Sequence, residues 1–90
     1  MRQCYVGESF VQEFSVSFDD DDGQTVDSGD FEIYKDGELL QSGALSVDST
    51  GRVLSFRFNA TTEGQLEIVI TWRVGQDVWK QPFLMKVVRA

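Results

Sequence analysis

Glycine residues divide this chain into short segments in which apolar and polar residues alternate. The glycines stand at positions 7, 23, 29, 37, 43, 51, 64 and 75, and no segment sustains the 3.6-residue period of an amphipathic helix. Alternation places successive side chains on opposite faces of a strand. Short strands separated by turns at this spacing are typical of a β-sandwich or a β-barrel. We therefore predict an all-β protein.

The pattern predicts seven or eight strands in one domain. The predicted strands cover residues 2–6, 9–18, 30–35, 38–42, 44–48, 53–58, 66–74 and 78–88. Ninety residues correspond to one domain, so we expect a single immunoglobulin-like antiparallel β-sandwich over residues 1–90. The chain begins at Met1 and the last strand ends close to Ala90, which indicates a complete small protein.

The last two strands form the hairpin that the sequence specifies best. Gly75-Gln76 suits a type II′ turn, which places glycine first. The resulting register pairs apolar residues along one face: Trp72 with Trp79, Ile68 with Phe83, and Leu66 with Met85. A slip of one residue would move every one of these side chains to the other face. Pro82 has no amide hydrogen, which predicts a sheet edge or a bulge within 78–88.

A predicted core follows from the inward-facing positions. We expect these residues to be buried together: Phe14, Phe31, Ile33, Phe56, Ile68, Ile70, Trp72 and Phe83. Trp72 and Trp79 are interpreted as the end of this core and not as a platform for a ligand. Gln12 interrupts the apolar face of strand 9–18, so we expect that end of the strand to lie at the margin of the sandwich.

Asp36-Gly37 predicts a second tight hairpin, because a type I′ turn requires positive φ at both central residues. Tyr34 and Leu39 then face each other on the side of the sheet opposite Phe31 and Ile33. Two interpretations stay open at this stage. The pair either stabilises the hairpin by cross-strand contact or forms an exposed patch that binds a partner.

The composition argues against several functional classes. The net charge of −7 disfavours binding to nucleic acid and to anionic membranes. The chain contains no histidine, so neither a Ser-His nor a Cys-His catalytic arrangement can be built. The single cysteine, Cys4, is interpreted as a structural or bystander thiol. We predict a protein that is not an enzyme and needs no cofactor.

The N-terminal residues lack the apolar region of a signal peptide. No apolar run approaches the roughly 20 residues that cross a bilayer. One cysteine allows no intrachain disulfide, which favours synthesis in a reducing cytoplasm. Particles that assemble in a cytoplasm fit the same observations.

An acidic run is the one candidate for a metal site. Candidate calcium ligands are Asp19, Asp20, Asp21, Asp22, Asp27 and Asp30. The run does not match the EF-hand loop, because alignment on Asp22-Gly23 places Phe18 at the first ligand position. A solvated, mutually repelling loop over residues 19–29 is the favoured interpretation.

The order of strands and turns resembles the small immunoglobulin-like structural proteins of tailed bacteriophages and prophages, including the N-terminal domains of baseplate upper proteins. The resemblance is carried by the segments 5–10, 18–23, 31–37 with Gly43, and 64–72. It implies a virion component of a tail, baseplate, neck or decorated capsid that binds other protein subunits in a symmetric assembly. Such a protein would associate weakly with itself in isolation. The resemblance identifies no functional residues.

Two other functions fit the same sequence. A small acidic inhibitor could present carboxylates to a basic surface of a host nucleic-acid-binding protein, as DNA mimics do. A carbohydrate- or surface-binding β-sandwich module would instead need an exposed aromatic platform. The hypothesis that we carry forward is a protein-binding structural component with Tyr34 and Leu39 as its partner-binding residues.

Overall fold

A computed structural model describes residues 2–18 and 24–89 of the chain. Within these residues the chain forms eight strands. The strands are β1 (Arg2–Tyr5), β2 (Ser9–Ser15), β3 (Ser28–Lys35), β4 (Glu38–Ala44), β5 (Ser46–Val47), β6 (Val53–Asn59), β7 (Gly64–Val74) and β8 (Asp77–Val88). The described residues contain no helix that is long and apolar enough to span a membrane.

The strands form two sheets that pack face to face. The first sheet has the order β1-β8-β7-β3-β4, and the second has the order β2-β6-β5. All pairings are antiparallel except that of β1 with β8. This division of strands between two sheets is that of the immunoglobulin fold. The predicted immunoglobulin-like antiparallel β-sandwich is therefore confirmed.

Aromatic side chains join the two sheets. Phe31 of the five-stranded sheet stacks on Phe56 of the three-stranded sheet, with ring centroids 4.3 Å apart. Phe14 and Phe83 make a second contact between the sheets at 5.1 Å. The predicted core is confirmed at Phe31, Ile33, Phe56, Ile68 and Ile70, which are buried, while Phe14, Trp72 and Phe83 are partly buried against it.

The hairpin between β7 and β8 has the predicted register. Trp72 pairs with Trp79, and Ile68 pairs with Phe83. Gly75 has φ of 59°, which fits the first central position of a type II′ turn. Pro82 lies where β8 has no second neighbour, because β1 pairs only with the residues of β8 from Met85 onwards. The sheet edge predicted from Pro82 is thus confirmed.

The turn between β5 and β6 is fixed by Asp48 and Gly51. Thr50 Oγ1 donates a hydrogen bond to Asp48 Oδ1 at 2.7 Å, and the amide of Val53 donates to the same oxygen at 3.1 Å. These bonds, that of Thr50 first, hold the pKa of the Asp48 carboxyl below its usual value. Gly51 has φ of 70°, and a Cβ atom there would lie 2.4 Å from Thr25 Cβ. Only glycine fits this position.

Two expectations about the core are wrong. Gln12 does not lie at a solvated margin: its side chain is buried, with only 3% exposed. Trp79 does not end the core, because 55% of it is exposed. Gln12 belongs to the three-stranded sheet and faces the larger sheet, whereas Trp79 lies near the tip of the β7–β8 hairpin, whose strands are longer than those of the three-stranded sheet.

Candidate protein-interaction surface

The hairpin of β3 and β4 presents the residues that the sequence analysis assigned to partner binding. Asp36 and Gly37 have φ of 52° and 80°, so both central residues adopt the positive φ of a type I′ turn. The turn brings Tyr34 opposite Leu39. The cross-strand pair predicted from the sequence is therefore present.

A β-bulge changes the outer part of this hairpin. Ile33 pairs with Gln41, but the next residue, Tyr34, pairs with Leu39. Leu40 consequently has no partner in β3, and its side chain borders a cavity that is also lined by the inward-facing residues Ile33, Phe58 and Leu66. Leu39 is 50% exposed and pairs with Tyr34 on the outer face. Tyr34 and Leu39 are called the hairpin patch below.

Tyr34 is held in place by its own strand. Its hydroxyl donates a hydrogen bond of 2.8 Å to Glu32 Oε2. This bond raises the pKa of Tyr34, and partial loss of hydration and the charges of Glu32 and Glu67 act in the same direction. The side chain is therefore a neutral, fixed, half-buried ring opposite the exposed side chain of Leu39.

The surroundings of the hairpin patch are open. Every residue of β4 is exposed, and among the described residues β4 is an edge strand whose only neighbour is β3. On the same outer face, β7 and β8 place Glu67 and Leu84 in the row that contains Tyr34. An open strand edge beside exposed leucines is a surface that favours association with another chain.

A second exposed feature was missed by the sequence analysis. Trp79 borders a groove of about 410 Å³, and the other side chains that line it include Phe18, Gln24, Trp72 and Asp77. Periodicity alone could not reveal this groove, because Trp79 lies on the inward face of β8. Its exposure depends on how far the opposing sheet extends.

The proposed metal ligands divide into two groups. Asp19, Asp20, Asp21 and Asp22 lie outside the described residues, as does part of the predicted loop 19–29. Asp27 Oδ2 accepts a hydrogen bond of 2.7 Å from the amide of Gly75. Asp30 Oδ2 lies 2.6 Å from Arg73 Nη2 in an ion pair. Among residues 2–18 and 24–89, no group of three or more metal-binding side chains comes together.

Cys4 is buried in the core. Burial raises the pKa of its thiol, and the charge of Glu8 adds to this effect. A buried thiol with a raised pKa is a poor nucleophile. This environment agrees with the interpretation of Cys4 as a structural residue.

Comparisons with known proteins are sparse. No protein-family model matches the chain, and no curated protein matches it. One similar solved structure is that of Drosophila OTK, extracellular domains 3-5, with 15% sequence identity and a TM-score of 0.40. The match covers 100% of this chain and 33% of that chain, so the chain spans about a third of that structure. The assignment of the fold rests on the sheet topology described above.

Proposed function

We propose that this protein is a non-enzymatic structural component that binds another protein through the hairpin patch. The observation that carries the proposal is the exposure of Leu39 opposite the fixed ring of Tyr34, on an edge strand that is exposed along its whole length. When a partner covers hydrophobic side chains at a strand edge, the removal of their apolar surface from water lowers the free energy of the complex. The net charge of −7 favours a protein partner over nucleic acid.

We propose further that the partner belongs to a bacteriophage or prophage particle. The support for this part is the resemblance of the strand and turn order to small immunoglobulin-like virion proteins. Repeated copies around a symmetric particle would strengthen a weak contact, because each further contact is effectively intramolecular. A monomer or small oligomer in isolation would then be held firmly in the assembly.

The test combines Tyr34→Asp with Leu39→Asp. The double variant should keep the fold, since both side chains lie on the outer face, and should lose incorporation into particles. Incorporation is measured by mass spectrometry of particles purified from cells that express the chain with its neighbouring genes. Val78→Asp is the matched control, because Val78 is exposed on the same outer face but pairs with Arg73 at the other end of the sheet. Normal incorporation of the double variant would place the interface elsewhere.

The exposure of Trp79 favours a second candidate function, which is carbohydrate binding. The groove at Trp79 combines indole rings with the carboxylate of Asp77 and the amide of Gln24. Such a combination offers both an apolar face and hydrogen-bonding groups for a sugar ring. Titration with a panel of soluble oligosaccharides should quench tryptophan fluorescence if this function holds. The response should vanish in Trp79→Ala and persist in Val78→Ala.

A further inference from the structure

The three-stranded sheet ends in a strand whose outer edge is unpaired. Within residues 2–18 and 24–89, β2 pairs only with β6. The amide of Ala60 donates to the carbonyl of Glu8 at 2.9 Å, and the amide of Val16 donates to the carbonyl of Arg52 at 2.8 Å. These bonds lie in register with the pairing of β2 and β6. They show that the even-numbered residues of β2 bond to β6, since hydrogen-bonded pairs alternate along an antiparallel ladder.

The odd-numbered residues of β2 therefore direct their backbone groups away from the sheet. These residues are Ser9, Val11, Glu13 and Ser15. Their amides and carbonyls have no partner among the described residues. An edge of this kind is a template for one more strand.

A cleft lies directly beside this edge. It has a volume of about 540 Å³, and its apolar lining comes from Phe14, Phe83 and Leu84. The cleft is open because β1 begins its pairing with β8 at Arg2 and Met85. The earlier residues of β8 consequently pair with no strand on that side in the part of the chain that the structure describes. A strand added to β2 would place alternate side chains in this cleft.

Gln12 also lines the cleft. Its side chain is 3% exposed, and its Oε1 atom has no hydrogen-bond partner among the described residues. A buried acceptor without a donor is costly, and native proteins rarely leave one unsatisfied. A hydrogen-bond donor that enters the cleft would satisfy this atom.

We propose that β2 binds an extended segment of another protein as a fourth strand of the sheet. Its backbone bonds to the odd-numbered residues of β2, an apolar side chain packs on Phe14 and Phe83, and a donor group reaches Gln12 Oε1. The cleft is lined by one acidic and one basic residue, Glu13 and Arg2, and the whole chain carries a charge of −7. The segment is therefore neutral or basic overall. This site lies on the other sheet from the hairpin patch, so neither proposal depends on the other.

The test uses a short synthetic peptide in which threonine and valine alternate between two terminal lysines. Amide hydrogen exchange is followed by NMR on the full chain with and without this peptide. In the free protein, the amides of Val11 and Glu13 should exchange fast while those of Gln12 and Phe14 are protected. The peptide should slow exchange at Val11 and Glu13 by at least about tenfold.

Three variants at two residues of β2 locate the contact. Val11→Pro removes one outward amide and keeps the bonds to β6, since proline is tolerated where the amide of an edge strand faces solvent. It should abolish the protection, and Val11→Thr should retain it. Gln12→Leu should raise the melting temperature of the free protein and weaken binding of the peptide. If Val11→Pro does not fold, Gln12→Leu still tests the site.

Several results would overturn the proposal. One is slow exchange at Val11 and Glu13 in the free, dilute protein, which would mean that the edge is already occupied. Protection that appears only as the protein concentration rises would show that a second copy of this chain fills the edge. Failure to protect these amides at millimolar peptide, or an effect confined to the hairpin patch, would also refute it. Loss of the effect in the double variant of Tyr34 and Leu39 would contradict the independence of the two sites.

Discussion

Phe56 lies at the centre of the contact between the sheets, stacked on Phe31 with an interplanar angle of 15°. We predict that Phe56→Ala lowers the free energy of unfolding by about 3–5 kcal/mol, because it removes a buried ring and leaves a cavity. Urea denaturation at equilibrium measures this loss. Val11→Ala, at an exposed position, is the control and should change stability by less than about 0.5 kcal/mol. A loss below about 1 kcal/mol for Phe56→Ala would show that the ring is not part of the core.

Titration of the Tyr34 hydroxyl with pH tests its hydrogen bond to Glu32. Ionisation of its hydroxyl breaks the hydrogen bond to Glu32, so the bond raises the pKa of Tyr34. We expect the phenol to ionise above the ordinary tyrosine value, as followed by NMR of the ring carbon that bears oxygen. Glu32→Gln should bring the pKa down towards that value. Glu67→Gln should have a smaller effect, since Glu67 acts only through its charge. Equal effects of the two variants would contradict the role of the hydrogen bond.

At the scale of elements, the turn between β5 and β6 should make the fold sensitive to acid. The bonds from Thr50 and the backbone lower the pKa of Asp48 in the folded state. The stability that Asp48 contributes is therefore present above its unfolded pKa and is lost as the pH falls through the folded pKa. We expect Asp48→Asn to lower the urea midpoint at neutral pH and to flatten its dependence on pH in the acid range.

Asp77→Asn is the control for this prediction, because the Asp77 carboxylate accepts no hydrogen bond from the described residues. It should leave the acid dependence of the urea midpoint close to that of the wild type. An unchanged acid dependence in Asp48→Asn would mean that this turn does not depend on the ionised carboxylate.

At the scale of the whole molecule, the charge of −7 has the sign that attracts cations such as calcium. Asp27 and Asp30 are already engaged by Gly75 and Arg73, and the other four candidate ligands, Asp19 to Asp22, lie outside the described residues. We predict that millimolar calcium chloride shifts the melting temperature no more than sodium chloride of equal ionic strength. A rise of several degrees specific to calcium would support a metal site instead.

The pattern of this sequence determined the strands, their inward faces and both tight hairpins. These features depend on local geometry: side chains alternate along a strand, and Asp36-Gly37 and Gly75-Gln76 each suit one type of turn. For that reason the pairing of Trp72 with Trp79 and the contact of Tyr34 with Leu39 could be predicted without coordinates. The alternation of the strand 53–58 likewise predicted that Phe56 points into the core.

Only the tertiary structure decided which inward-facing residues are covered. Gln12 and Trp79 both face the interior of the sandwich, yet the first is buried and the second is exposed. The difference arises because Gln12 lies in the middle of β2 and faces the larger five-stranded sheet, whereas Trp79 lies near the tip of the long β7–β8 hairpin, which the shorter three-stranded sheet does not cover fully. Burial depends on the extent of the opposing layer, which is a property of the whole chain and not of any local pattern.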